Sequence, residues 1–367
     1  MNLLDLPPAD AFTALARWMT DRGEPSYRAR QAFDRLWRRP VARWADATDL
    51  PAALREVLDR ELPLFRPVLA ARQRSVDGTV KFLWDFGSRG AVEAVLIPDG
   101  RRRTLCVSSQ AGCAYGCVFC ATGRMGFVRH LAAWEIVAQV RELLLSAEFD
   151  KPTNVVFMGM GEPLHNWTNV DRALTILHDP RGLGIGARHI TVSTIGLVPA
   201  LARLAARPEQ FRVALSLHAT TSETRGRLMP VERKYPLSHV IEALKQFPRR
   251  VTFEYVMIAG ENDSRDDAAR LAAMARQVGA HVNLLPLHPG GAPGLSPTPA
   301  RAIDAFADRV RSHGVAATVR RSRGLDISAA CGQLRRDVDR AHEVGPEDDR
   351  DVEEQLGVGS ERNRTGA

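Results

Sequence analysis

From residue 104 onward, short apolar runs alternate with stretches whose apolar positions recur every three or four residues. The runs at 104–109, 154–160, 189–195, 212–218, 252–258 and 281–288 have the length of buried strands. Between them, 133–145, 170–178, 198–206, 237–247 and 265–278 show helical spacing, with a further helix at 299–313 and a strand-like run at 315–321. Strand–helix alternation of this kind implies a parallel sheet covered by helices. Six such units predict an α/β fold, a partial (β/α)6 barrel whose function gathers at the C-terminal ends of its strands. Residues 75–96 instead alternate strictly around Gly87 and Gly90, as a β-hairpin does, and define an extension over 76–103. Residues 1–75 lack strand-like alternation and read as a small helical N-terminal domain, with helices at 11–21, 27–38 and 52–62. The barrel is expected over 104–340, and an acidic tail at 341–367 reads as disordered.

Charge refines this picture. The net formal charge of +7 is unevenly spread: 343–367 hold eight acids and three arginines, which leaves +12 on the rest. The cations are nearly all arginine, with lysine only at Lys81, Lys151, Lys234 and Lys245. The outward face of the first helices carries Arg28, Arg30, Arg35, Arg38, Arg39 and Arg43. A solvated surface or a phosphate-contacting RNA-binding appendage would both account for that stripe. No apolar run is long enough to span a membrane, and the first residues lack a basic n-region, so a cytoplasmic protein is expected.

The densest chemistry lies in T-L-C-V-S-S-Q-A-G-C-A-Y-G-C-V-F-C-A-T-G-R-M-G, which begins at Thr104. It holds four of the five cysteines. Cys113, Cys117 and Cys120 form C-x3-C-x2-C, and Gly112 and Gly116 permit the tight coiling that would turn three thiols toward one point. An iron–sulfur cube held by three cysteines leaves one iron open to a non-protein ligand. The spacing alone also leaves open a zinc site closed by His130. A disulfide framework belongs to small secreted chains and does not fit.

The predicted strand ends carry polar residues and glycines: Gly161 and Glu162 in G-M-G-E-P-L, Ser193, then Ser216-Leu217-His218, and His288. On one rim with the three cysteines, they describe a pocket for a polar ligand. Glu93, flanked by Val92 and Ala94, reads from its pattern as a solvent-facing residue on a half-exposed strand. A lone cysteine such as Cys331 reads as a small buried hydrophobe.

Several blocks together carry a resemblance. They are L-C-V-S-S-Q-A-G-C-A-Y-G-C-V-F-C, G-M-G-E-P-L, V-S-T-I-G-L-V-P-A, A-L-S-L-H-A and R-G-L-D-I-S-A-A-C-G-Q-L. Over residues 27–340 the chain resembles the RlmN/Cfr family of radical S-adenosylmethionine (SAM) RNA methyltransferases. The resemblance implies a radical SAM barrel, a [4Fe–4S] cluster on Cys113, Cys117 and Cys120, and SAM held at Gly161, Glu162, Ser193, Ser216, Leu217, His218 and His288. It makes Cys331 the methyl-carrying cysteine, Cys106 its partner in a transient disulfide, and Glu93 a general base, against the solvent-facing reading. His288 stands where the family usually has Asn before Pro, and His130 where Asn usually follows Arg129. Imidazole can still donate and accept through its two nitrogens.

The resemblance also implies a mechanism. An adenine ring carbon is not nucleophilic, so the enzyme first methylates its own Cys331 thiolate. A second SAM, reduced by one electron, yields a 5′-deoxyadenosyl radical that takes a hydrogen from this methyl, and the carbon radical adds to the ring. Glu93 then removes the ring proton, and Cys106 attacks Cys331 to release the product. The expected target is carbon 2 of an adenosine in 23S rRNA and of one beside the tRNA anticodon; the family's other branch acts on carbon 8. Further implied are an electron donor such as flavodoxin or ferredoxin, no membrane partner, and a monomer. A zinc-containing RNA-binding protein is the non-enzymatic alternative; it would have no use for Cys331 or Glu93.

Overall fold

The computed structural model describes residues 1–288, 292–330 and 332–334. Cys331 and the acidic tail lie outside the described residues. The chain begins with α1 (Pro8–Thr20), α2 (Ser26–Trp37) and α3 (Ala52–Glu61). The first two start beside prolines, whose fixed φ suits a first helical turn. They bury one apolar stripe each, including Ala11, Leu15 and Met19 from α1 and Phe33, Leu36 and Trp37 from α2. The arginine face is largely neutralised: Arg35 pairs with Asp49 at 2.9 Å, Arg38 and Arg39 approach Asp34, and Arg43 meets Asp46 at 3.1 Å.

Three antiparallel strands follow, β1 (Val68–Arg74), β2 (Val80–Asp85) and β3 (Ala91–Asp99), and β3 pairs antiparallel with β4 (Arg102–Cys106). The hairpin is present, but 68–74 is a strand where no strand was expected. Its side chains are exposed on both faces, as an edge strand allows, so its sequence V-L-A-A-R-Q-R carries no alternation.

The cysteine loop leaves β4 through a small hairpin, β5 (Gln110–Gly112) with β6 (Phe127–His130), which encloses the short α4 (Ala121–Arg124). The alternating units then run α5 (Ala133–Leu145), β7 (Asn154–Phe157), α6 (Trp167–His178), β8 (Ile190–Thr194), α7 (Val198–Ala205), β9 (Arg212–Ser216), α8 (Ser222–Leu228), α9 (Leu237–Lys245), β10 (Val251–Met257), α10 (Arg265–Val278), β11 (His281–Pro286), α11 (Ala300–Ser312) and β12 (Ala317–Val319). One sheet has the order β1-β2-β3-β4-β7-β8-β9-β10-β11-β12, and it is parallel from β4 onward. The six expected barrel strands are consecutive in it, and the run near 315 adds a seventh parallel strand. Sequence-consecutive parallel neighbours with covering helices make the open barrel; β9 and β10 are buried along most of their length, whereas β7, β8 and β11 alternate buried and half-buried positions.

The segment after β12 returns to the opposite end of this sheet. Asp326 accepts from the Ser75 hydroxyl at 2.6 Å and from Val76 N–H at 3.2 Å, while Gly324 N–H donates to Asp77 at 3.0 Å. Further on, Gly332 O accepts from Ala121 N–H at 2.8 Å and Leu334 O from the Thr122 hydroxyl at 2.6 Å. The C-terminal strap is thereby fastened first to the β1–β2 turn and then to the cysteine loop.

Candidate active site

The cysteine loop is shaped by its glycines. Gly112 has φ +75°, and a Cβ there would stand 2.0 Å from Gly126 O, so only glycine lets the two β5–β6 backbones meet. Cys113 N–H donates to that same Gly126 O at 2.8 Å, Cys120 N–H to Cys117 O at 3.1 Å, and Val118 N–H to Leu228 O at 3.0 Å. With the backbone so coiled, Cys113, Cys117 and Cys120 line one pocket at the C-terminal ends of the parallel strands. Gly161, Glu162, Ser193, Ser216, His218 and His288 line it too, as do Gly332 and Gln333 from the strap. Leu217 does not; it is buried in the core, and its N–H donates to Glu254 O at 3.0 Å.

The polar groups of this pocket are held by backbone contacts. Glu162 is buried, and its carboxylate accepts from Leu164 N–H at 3.0 Å and Ile195 N–H at 2.9 Å, tying the loops after β7 and β8 together. Burial pushes this carboxyl up to about 7, against the opposing pull of those donors and of Thr194. Gln110, also buried, gives its Oε1 to Glu162 N–H at 2.8 Å. A Cβ at Gly161 would collide with the Gln110 side chain at 2.5 Å, so Gly161 makes room for this brace.

His218 occupies the left-handed region with φ 56°. Its Nδ1 accepts from Val256 N–H at 3.0 Å, which fixes the neutral tautomer with the proton on Nε2. Burial lowers its pKa to about 3, with the Arg225 charge contributing. Phe119 stands against it edge-on, with 4.7 Å between ring centroids. Asn262 secures the unusual backbone: Nδ2 donates to His218 O at 2.8 Å and Val256 O at 2.6 Å, while Oδ1 accepts from Ile258 N–H at 2.8 Å. His288 Nε2 and the Ser322 hydroxyl are 2.7 Å apart, and Ser193 and Ser216 hydroxyls face each other at 3.4 Å.

Glu93 and Cys106 do not line this pocket, and the pattern-based assignment of Glu93 to solvent is wrong. Both faces of β3 are covered there, and Glu93 is 3% exposed, paired with buried Lys81 at 3.0 Å. Val95 lies opposite Cys106 in the β3–β4 register, so Glu93, two residues away, shares a sheet face with Cys106. His130, the candidate fourth zinc ligand, lines a separate cleft. The sequence reading missed Glu254, which lines the pocket, accepts from Asn283 Nδ2 at 2.9 Å and has its pKa raised by burial. Its signal was an acid inside the apolar run F-E-Y-V-M.

The three thiols fit a cluster. Burial pushes Cys113 up to about 12 and raises Cys117 as well, so these two thiols favour the protonated form until a cation compensates their charge. Both oxygens of Glu162 and the Nδ1 of His218 are engaged by backbone N–H groups, so the three sulfurs are the soft donors facing the pocket. No three His, Cys, Asp or Glu side chains among the described residues converge as ligands of a single ion. A cube needs a wider triangle, because each thiolate meets a different iron.

Comparison with known proteins agrees with this chemistry. The radical SAM superfamily model matches residues 107–272. A relative from Gemmatimonas aurantiaca, named probable dual-specificity RNA methyltransferase RlmN, is 56% identical over 334 residues, 91% of this chain and 93% of its own. The dual-specificity RNA methyltransferase RlmN of Anaeromyxobacter dehalogenans is 44% identical over 347 residues, 92% of this chain and 91% of its own. The crystal structure of a radical SAM methyltransferase from Sphaerobacter thermophilus superposes with a TM-score of 0.84 at 43% identity, over 91% of this chain and 99% of that one. Identity of this depth along nearly the full length reaches well beyond a shared barrel, and the chain belongs to the RlmN family of radical SAM RNA methyltransferases.

Proposed function

We propose that this protein methylates carbon 2 of adenosine, in 23S rRNA and in tRNA beside the anticodon, through a methyl group carried on its own cysteine. The observation that carries the reading is the pocket in which the three-cysteine loop faces Gly161, Glu162, Ser193, Ser216, His218 and His288. In this reading Cys113, Cys117 and Cys120 would hold a [4Fe–4S] cluster, and the strand-end residues would hold SAM. When bound, these groups supply a carbon radical able to abstract hydrogen from a sulfur-borne methyl.

The remaining work falls to side chains of the chain. Cys331 carries the methyl, and Cys106 receives the sulfur bond when product leaves. Glu93 takes the ring proton; its burial on the sheet face it shares with Cys106 supports this role. His218 offers a neutral Nε2–H donor and Glu254 an acceptor toward SAM. A one-electron donor protein such as flavodoxin or ferredoxin reduces the cluster. We assign residues 1–75, helical up to the edge strand at 68–74, as an RNA-contacting domain, the hairpin extension over 76–103 as the carrier of Glu93, and a cytoplasmic, monomeric state.

Mass-spectrometric mapping of methyladenosines in rRNA and tRNA, with and without the gene, tests the proposal. The 2-methyl mark should vanish from one rRNA adenosine and from tRNA in the deletion strain. Intact marks would refute it, and loss of an 8-methyl mark would move the protein to the carbon-8 branch.

A further inference from the structure

A second cleft, of about 520 Å³, opens beside the cysteine pocket, and Tyr115 lines both. Backbone N–H of Tyr115 serves the Cys113 sulfur, so the residue that the two cavities share also touches the cysteine loop. The cleft gathers His130, His165, Trp167, Arg203, Lys234 and Tyr235 from four separate stretches. No acid lines it.

The ring faces are arranged around one another. His165 lies 5.3 Å from Tyr115 and 4.8 Å from His130, both edge to face, and the Lys234 ammonium stands 5.6 Å from the Tyr235 ring. A single buried amide orients both histidines: Gln110 Nε2 sits 2.9 Å from His130 Nδ1 and 3.2 Å from His165 Nδ1. An amide nitrogen can only donate, so each Nδ1 accepts and each imidazole carries its proton on Nε2. Arg203 and Lys234 are exposed, and neither has an ion-pair partner among the described residues. Two exposed cations beside aromatic rings, in a cleft whose described lining holds no acid, call for an anionic, flat-ringed ligand.

We propose that this cleft is a second RNA subsite, one that holds a nucleotide flanking the target adenosine. The base stacks on the Tyr115 and His165 rings, and the phosphate is met by Lys234 and Arg203 with the imidazole Nε2–H groups beside them. Aromatic stacking with cationic phosphate contacts is how single-stranded nucleic acid is held. The inference rests on the RNA-substrate reading and adds to it a location and a contact chemistry. Gln110 joins this cleft to the active site, since its Oε1 braces Glu162 N–H while its Nε2 sets the two histidines.

The test uses the full-length, cluster-loaded protein and a fluorescein-labelled RNA hairpin carrying the target adenosine in its loop. Anisotropy gives its Kd across a salt series, for the native chain and for the double variant Arg203→Ala, Lys234→Ala. Both residues are exposed, and a circular dichroism melt verifies that the variant folds. The double variant should bind RNA about ten-fold or more weakly, and the slope of log Kd against log salt should fall by about 1–2. Replacing His165 by Ala should weaken binding without changing that slope, whereas His165→Phe should retain it. An RNA affinity and slope within two-fold of the native chain would overturn the proposal. So would a loss confined to activity driven by a donor protein, absent with dithionite, which would mark the cleft as a docking face for the electron donor. Failure of the methyladenosine mapping, by contrast, would overturn the functional reading while leaving measured RNA binding intact.

Discussion

Asn262 gives the sharpest test of how the pocket is built. It is fully buried, and its side chain makes three hydrogen bonds, with Ile258 N–H, His218 O and Val256 O. Replacing it by Ala strands all three backbone groups away from water. An unmet buried N–H costs about 2 kcal/mol and an unmet carbonyl about 1 kcal/mol, so the loss should be about 4 kcal/mol. For a chain of this size, with an m-value of roughly 3 kcal/mol/M in urea, the unfolding midpoint should fall by about 1.3 M. Anaerobic urea unfolding followed by far-ultraviolet circular dichroism measures it. Asn262→Asp refines the argument. The carboxylate can still accept from Ile258 N–H but faces two carbonyl oxygens, so its pKa is raised in the fold. A raised folded pKa adds stability below the unfolded value and loses it as pH rises, so this variant should gain on the native chain as pH falls from about 7 to about 5. A midpoint for Asn262→Ala within about 0.3 M of the native value would refute the reasoning, because the three backbone groups would then be satisfied without it.

Two further outcomes follow from the same site. Gly112→Ala would place a methyl 2.0 Å from Gly126 O at φ +75°, so the cysteine loop cannot close, and iron and sulfide after anaerobic reconstitution should drop below half the native content. His218, neutral in the fold with a pKa of about 3, contributes stability that is intact above about pH 6.5 and lost as pH falls toward that depressed value. Between pH 6.5 and 5 the loss should reach about 2 kcal/mol, and thermal melts of His218→Asn should lack that part of the acid dependence.

How much of this was legible depends on distance along the chain. The parallel strands could be read because their apolar residues fall in short runs between stretches of helical spacing, and the cysteine loop because its three thiols and two glycines lie within nine residues. The edge strand at 68–74 escaped because exposure on both faces erases the period that identifies a strand. Glu93 was misread from its neighbours for a related reason: its partner, Lys81, lies twelve residues away on the facing strand, and a local pattern cannot show that an acid's counter-charge is buried with it. Glu254 carried the same signature, an acid within an apolar strand; both residues are buried, and Glu254 lines the pocket. The second cleft was illegible altogether, since its rings and cations come from stretches that only the folded rim brings together.

The buried polar residues that no motif identified have one feature in common: each holds backbone at a strand end. Gln110 fixes Glu162, Asn166 donates to Ser109 O and Leu131 O, Arg225 reaches Ile195 O while paired with Glu232, and Asn262 holds His218. Loops ordinarily carry the most conformational freedom in a barrel, and ordering them when a ligand arrives would consume binding energy. Here that ordering is completed as the chain folds, by side chains that bond backbone within the protein. The cysteine loop is fastened more lightly, chiefly by backbone bonds to Gly126, Leu228 and Gly332, and burial opposes the charged form of Cys113 and Cys117. A cation shared by those thiols would relieve that opposition, whereas the wall built around Glu162 and His218 is ordered by hydrogen bonds within the protein. The two sides of the pocket thus differ in what would order them: folding alone suffices for the wall, while the loop would gain from a bound cation.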